Sequence, residues 1–176
     1  MFIMVNTTVW TDRRDSSKKE TTLDNNHTGY RRFLINPNRI SDLKADGTGS
    51  MFLFSENHRD RRENNSFMKC TSSVAEIEAA HNTAFASNFI TLPFYPKNNP
   101  NKIPIDTTLD VGDVAYFDAY NPDPDNYCWL IYDRKAFRRV EQLVGYNLDQ
   151  VEDVAETGTT TTTSTSTTTT TEEEEQ

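Results

Sequence analysis

Two cysteines in 176 residues are too few for a disulfide framework. Cys70 and Cys128 stand far apart, at no spacing that metal ligation uses, and read as two buried thiols. Long apolar runs are missing as well. No stretch approaches the ~18 consecutive apolar residues of a membrane-spanning helix. Met1 to Val5 is apolar but shorter than the core of a signal peptide, and the basic residues follow it, so secretion through an ordinary leader is not expected. Glycine is sparse, at 6 residues, and none stands beside a lysine in a phosphate-cradling loop. Basic charge vanishes at one end. From Val151 onward there are seven acids and no lysine or arginine, so residues 1–150 carry only −2 of the total −9. These shortages exclude a transmembrane bundle, a collagen-like fibre and a cysteine-stapled mini-protein.

Aromatics are plentiful. Ten Phe, seven Tyr and two Trp can supply a core, because each ring buries a large area. Phe2 to Trp10 is apolar and β-favouring, and the polar residues 11–29 follow it. That order suits an extended arm whose Phe2, Ile3, Val5, Val9 and Trp10 dock on a neighbouring subunit. It suits equally a first strand of the chain's own domain. The other end is a tract from Thr157 to Thr171 with 12 Thr, 2 Ser and one Gly, then four Glu and Gln176. It has no apolar face to offset the entropy of ordering, and reads as a disordered spacer or recruiting tail, residues 157–176.

Between these ends, residues 30–156 read as an α+β domain of mostly antiparallel sheet with one or two packed amphipathic helices. This domain can divide into two small submodules, 30–86 and 88–156; the sequence leaves open whether they share one sheet, although units of ~60 residues bury little alone. In the first, Tyr30, Phe33 and Ile35 begin a strand, Asn36-Pro37-Asn38 breaks it, and Arg39 to Leu43 resumes. Asp46-Gly47 signals a turn, and Met51 to Phe54 is an apolar, central strand. After a charged loop, Ser66 to Cys70 returns. Ser73 and Glu76 then form a capping box for a helix to about Phe85, with Val74, Ile77 and Ala84 on its inner face.

The elements Phe33-Leu34-Ile35-Asn36, Ile40, Gly49-Ser50, Met51 to Phe54, Phe67 to Cys70 and Ser73 to Ile77 follow one another in an order that resembles a small strand-meander-plus-helix module of phage accessory and virion proteins. The resemblance covers about a third of the chain. It implies a phage virion or accessory protein with no known chemistry.

In the second submodule, Phe89 to Leu92 reads as a strand stopped by Pro93 and Pro96. Gly112-Asp113 is a tight turn. Val114 to Tyr120 is a strand with Val114, Tyr116 and Asp118 on one face and Ala115, Phe117 and Ala119 on the other. Residues 121–126 form a turn, and Tyr127 to Tyr132 pairs back. Asp133 can cap a helix carrying Ala136, Phe137, Val140, Leu143 and Val144 inward, ended by Gly145; a strand from Phe137 to Val144 is the alternative. Leu148, Val151 and Val154 make a further short amphipathic piece.

No catalytic constellation stands out. His27, His58 and His81 are scattered, and no His/Cys pair has metal spacing. Asp123 and Asp125 lack the closing Glu of a calcium loop, while Asp106, Asp110, Asp113 and Asp118 read as solvated acids near turns. Neither cofactor nor metal is expected. Two basic patches remain: Arg59, Arg61 and Arg62 with Lys69, and Arg134, Lys135, Arg138 and Arg139 on the polar side of the expected helix. They could face phosphates, but Glu56, Asp60, Glu63, Asp133 and Glu141 are interleaved with them. The expectation is a non-enzymatic structural protein, a capsid-auxiliary or head–tail virion component assembled in the host cytoplasm. It would be oligomeric and bound to other virion subunits. The alternative is a small binding module for nucleic acid or a host protein that uses the patches at 59–69 and 134–139.

Overall fold

The structure is a computed structural model. It describes residues 1–10, 21–22, 31–54, 68–134 and 138–158, with backbone alone at 7–10, 21–22, 31, 134 and 138–139. The tail expected from Thr157 lies almost wholly outside the described residues. The strands are β1 (Ile3–Trp10), β2 (Thr21–Thr22), β3 (Arg31–Ile35), β4 (Ile40–Asp46), β5 (Gly49–Phe54), β6 (Met68–Cys70), β7 (Phe89–Phe94), β8 (Ile105–Asp110), β9 (Val114–Ala119), β10 (Cys128–Arg134) and β11 (Arg138–Val144). Two helices accompany them, α1 (Val74–Asn82) and α2 (Leu148–Thr157). All pairings are antiparallel, in the order β4-β5-β6-β1-β3-β9-β10-β11-β7-β8, with β2 on β1. The fold is α+β. The pairing of β3 with β9 runs the two submodules into one sheet.

The extended-arm expectation is corrected here. Residues 3–10 are an interior strand between β3 and β6, paired from Ile3↔Ile35 to Thr7↔Arg31 on one side and at Thr7↔Cys70 on the other. Val5 packs into one core of the chain and Phe2 into another. The physical reason is two-sided burial. The apolar run Phe2–Val5 is what a strand covered on both faces needs, and the chain's own β3 and β6 supply the hydrogen bonds that an arm would seek elsewhere.

The central strands serve those two cores with alternate residues. On β3, Leu34 faces one core, while Phe33 and Ile35 face the other. On β10, Cys128, Leu130 and Tyr132 face the first and Ile131 the second. Helix α2 covers the first core with Leu148, Val151 and Val154, and α1 covers the second with Ile77. The expected alternation on β9 fails at one point. The ladder pairs Tyr116 with Ile131 and Val114 with Tyr132, leaving Ala115 as an extra residue. This bulge returns Val114 to the face of Phe117, so Val114 and Tyr116 lie on opposite sides.

Residues 133–145 are not a helix. Of these, residues 133–134 end β10 and 138–144 are β11, in register from Arg134↔Arg138 to Cys128↔Val144, while 135–137 lie outside the described residues. Val140 and Val144 are four apart, a spacing that a helix and a strand both satisfy. The open edge of β10 decides between them, because a strand there pairs backbone groups along seven residues. Gly145 then marks a corner instead of a helix end: a Cβ there would stand 2.9 Å from the Tyr95 ring and 3.3 Å from Pro93. Pro93 does not stop its strand either; it sits inside β7 opposite Asp106.

The capping box of α1 is as expected. Ser73 accepts from the Glu76 amide at 3.3 Å, and Glu76 accepts from the Ser73 amide at 2.7 Å. The helix stops at Asn82, however, short of Ala84. The carbonyls of Ala80 and Thr83 accept hydrogen bonds from the Met1 ammonium, a cation favourably placed at a helix C-terminus. Phe85 leaves the helix to pack edge-on against Phe2, with ring centroids 4.8 Å apart. A second capping box, Asn147 with Gln150, starts α2.

One buried polar side chain joins these parts. Asn36 is fully buried, donates through Nδ2 to the carbonyls of Val111 (3.0 Å) and Val114 (2.9 Å), and accepts from the Asn38 amide (3.1 Å). Asn36→Ala removes a buried donor from two carbonyls and the acceptor of the Asn38 amide, and is expected to cost roughly 1–3 kcal/mol in denaturant unfolding. Ile77→Ala, at a site 1 % exposed, is expected to cost about 2–5 kcal/mol by the same measurement. At Glu76, hydrogen bonds from the Ser73 amide and hydroxyl hold the carboxyl below its ordinary range. Its contribution is therefore complete above the ordinary glutamate pKa and is lost as pH falls through the lowered value. Acid titration of stability should show this component in the native chain and lack it in Glu76→Gln.

Candidate functional site

Hydrogen-bonding capacity is left over where a sheet ends, and the strand order ends on β8 and β4. β8 pairs along its whole length with β7, from Phe89↔Asp110 to Phe94↔Ile105. One face of this hairpin is anchored, with Ile90 and Leu92 buried in the first core and Leu109 packed against it. On the other face Thr91 and Thr108 share a hydroxyl hydrogen bond of 2.7 Å. The outer strand is otherwise open, with four of its six residues exposed. The large apolar residues that the described part of the chain exposes all belong to this hairpin and its loop: Phe89 at 60 %, Ile103 at 87 % and Ile105 at 61 %. Ile103 and Ile105 lie near the loop end, while Phe89 stands at the far end opposite Asp110.

At the other end of the sheet, β4 and α1 enclose a groove of about 540 Å³. Its floor is apolar: buried Pro37 and Ile77, and half-buried Ile40 and Leu43. Its rim carries Asp42, Glu78, His81 and Asn82, and no lysine or arginine lines it. Asp42 has a nearby cation, Lys44, at 3.5 Å, with both side chains largely in solvent. Glu78 and His81 are exposed.

Between the two ends lies an ion pair with a structural task. Arg39 donates from Nη2 to Asp133 Oδ2 at 2.7 Å and from Nη1 to the Gly112 carbonyl at 3.0 Å. Burial pushes the Asp133 carboxyl up, against the opposing attraction of Arg39. The pair ties the turn after β3 to β10 and belongs with Asn36 as framework. Arg32 and Asp149, 2.7 Å apart, tie β3 to α2 at the surface.

The residues singled out from sequence disperse. Phe2 and Val5 are buried and Ile3 is half-buried, all within the chain's own cores; Val9 and Trp10 pair with Thr22 and Thr21 through their backbones. Arg59, Arg61, Arg62 and Lys135 lie outside the described residues, as do His27 and His58. Arg134, Arg138 and Arg139 fall at the turn end of the β10–β11 hairpin, not on the polar side of a helix. Asp110 is spent on a turn, accepting from the Gly112 amide at 2.7 Å, and Asp118 is buried on β9. Asp106 is close enough to the Tyr146 phenol to reinforce the upward push that burial gives it. Cys70 and Cys128 are buried free thiols, and burial raises both well above the range of a reactive thiolate. Among the described residues no group of three His, Cys, Asp or Glu is placed to hold a metal, and no helix is long and apolar enough to cross a membrane.

Sequence reading passed over Ile103, Ile105 and the groove. For the first two a signal was available: aliphatic residues on either side of Pro104, leading into the alternating Asp106-Thr107-Thr108-Leu109. For the groove there was none, because Ile40 and Ile77 meet only once the sheet has curled. No family model, curated protein or solved structure matches the chain.

Proposed function

We propose that the protein is a non-enzymatic assembly subunit that joins a second copy of itself along β8. The observation that carries this reading is the exposure of Ile103 and Ile105 on and beside an end strand of the sheet. Apolar side chains at an open strand edge invite strand addition. The order of residues in β8 favours a copy of the same strand. Antiparallel pairing about Thr107 sets Ile105 of one copy opposite Leu109 of the other, twice, by two-fold symmetry. Asp106 then faces Thr108 and not another carboxylate. A two-fold interface is self-limiting, so the acids on this strand can discourage further edge-to-edge growth without preventing the pair. The setting we propose is a bacteriophage virion, supported by the resemblance of residues 33–77 to virion modules.

Light scattering on the full chain over a range of concentrations tests the pair. A dimer mass is expected, and Ile103→Asp with Ile105→Asp should give a folded monomer, since both sites are exposed, whose unfolding temperature, unlike the native chain's, does not rise with concentration. A monomer at every concentration, or an oligomer that both substitutions leave intact, would remove the reading.

A further inference from the structure

The groove between β4 and α1 has a chemistry that pairing along β8 leaves unused. We infer that it takes an extended peptide segment of a partner protein, one in which aliphatic side chains alternate with lysine or arginine. Two independent features lead there. The first is charge. The rim offers exposed Glu78 and also Asp42, whose partner Lys44 stands 3.5 Å away outside the lining; no lysine or arginine lines the groove, so a cationic occupant is attracted to Glu78 and an acidic one repelled. The second is shape and backbone. The floor of Pro37, Ile40, Leu43 and Ile77 runs beside β4, and no described strand pairs with the outer edge of β4.

An extended chain laid along such an edge is held by main-chain bonds. Alternate side chains then point to opposite sides, one set to the floor and the other to the rim. That period of two is why the occupant must alternate aliphatic and basic residues. A helix would present its apolar groups at a spacing the strand edge does not match.

The full ¹⁵N-labelled chain can be titrated with a blocked eight-residue peptide of alternating valine and lysine, and separately with its valine–glutamate counterpart. Saturable amide shifts confined to Ile40–Asp46 and α1 are expected with the lysine peptide, weakening as salt rises, with none from the glutamate peptide. Glu78→Lys, on an exposed helix position, should weaken binding at least about tenfold, equivalent to ~1.4 kcal/mol. The Ile105→Asp chain should bind as the native one does, so failure of pairing along β8 leaves this result readable. Equal response to both peptides, shifts centred elsewhere, no saturable shift, or concentration-dependent shifts of β4 and α1 without any peptide would each overturn the inference.

Discussion

The curl of the sheet depends on a short link. β3 and β4 stand four places apart in the strand order, yet only residues 36–39 join them, and three of these form a single tight turn. Flat strands at ~4.8 Å spacing would put these two nearly 20 Å apart, more than a compact turn can span. The sheet must therefore bend until β4 returns toward β3. Asn36 pins the turn, because its buried side chain donates to the carbonyls of Val111 and Val114 where β9 begins. Arg39 fixes the same turn from outside, against Asp133 and Gly112. Everything that needs two faces, including both cores and the seam where α1 settles beside β4, follows from this bend.

Close approach elsewhere is managed by leaving atoms out. At Gly49 a Cβ would overlap the carbonyl oxygen of Cys70, so β5 and β6 can meet only with glycine there. Ser50 beside it is buried, donates to the Ser72 carbonyl at 2.7 Å, and stands 3.3 Å from the Cys70 sulfur. The thiol is thus a packed and hydrogen-bonded part of the wall. Its high pKa follows from burial, which outweighs those hydrogen bonds.

Much of the architecture was legible in the residues. The Ser73–Glu76 box, the Gly47 turn with its left-handed φ of 62°, the hairpin across residues 121–126 and the amphipathic spacing of Leu148, Val151 and Val154 are local signals, and local physics decided them. The failures share a cause: each was settled by pairing or packing against another element, which a segment's own pattern does not carry. Residues 138–144 became a strand because β10 offered an edge. Residues 3–10 became an interior strand because β3 and β6 left a slot. Helix α1 ends at Asn82, and Phe85 beyond it packs on Phe2, next to β1. Ala115 broke an alternation because the ladder to β10 slips by one residue there. The sheet ends were the least legible, since an end strand carries no mark in its own sequence beyond exposure, and exposure is a property of the assembled fold.

The corner at Gly145 has a mechanical meaning. Between β11 and β7 the ladder holds one residue pair, Val144↔Phe94, flanked by bonds from the Tyr95 amide to the Leu143 carbonyl and from the Gly145 amide to the Pro93 carbonyl. Where the backbones diverge, side-chain amides take over: Gln142 donates to the Tyr95 carbonyl, and Asn98 accepts from the Leu143 amide and donates to the Glu141 carbonyl. The β7–β8 hairpin is therefore attached as a leaf is to a hinge, with two amide side chains serving as the pin. Rotating that leaf by a few degrees strains few main-chain bonds, whereas the same rotation between β3 and β9 would shear the centre of the sheet. What resists the leaf's rotation is therefore chiefly packing, with Ile90 and Leu92 held in the first core, and not the ladder.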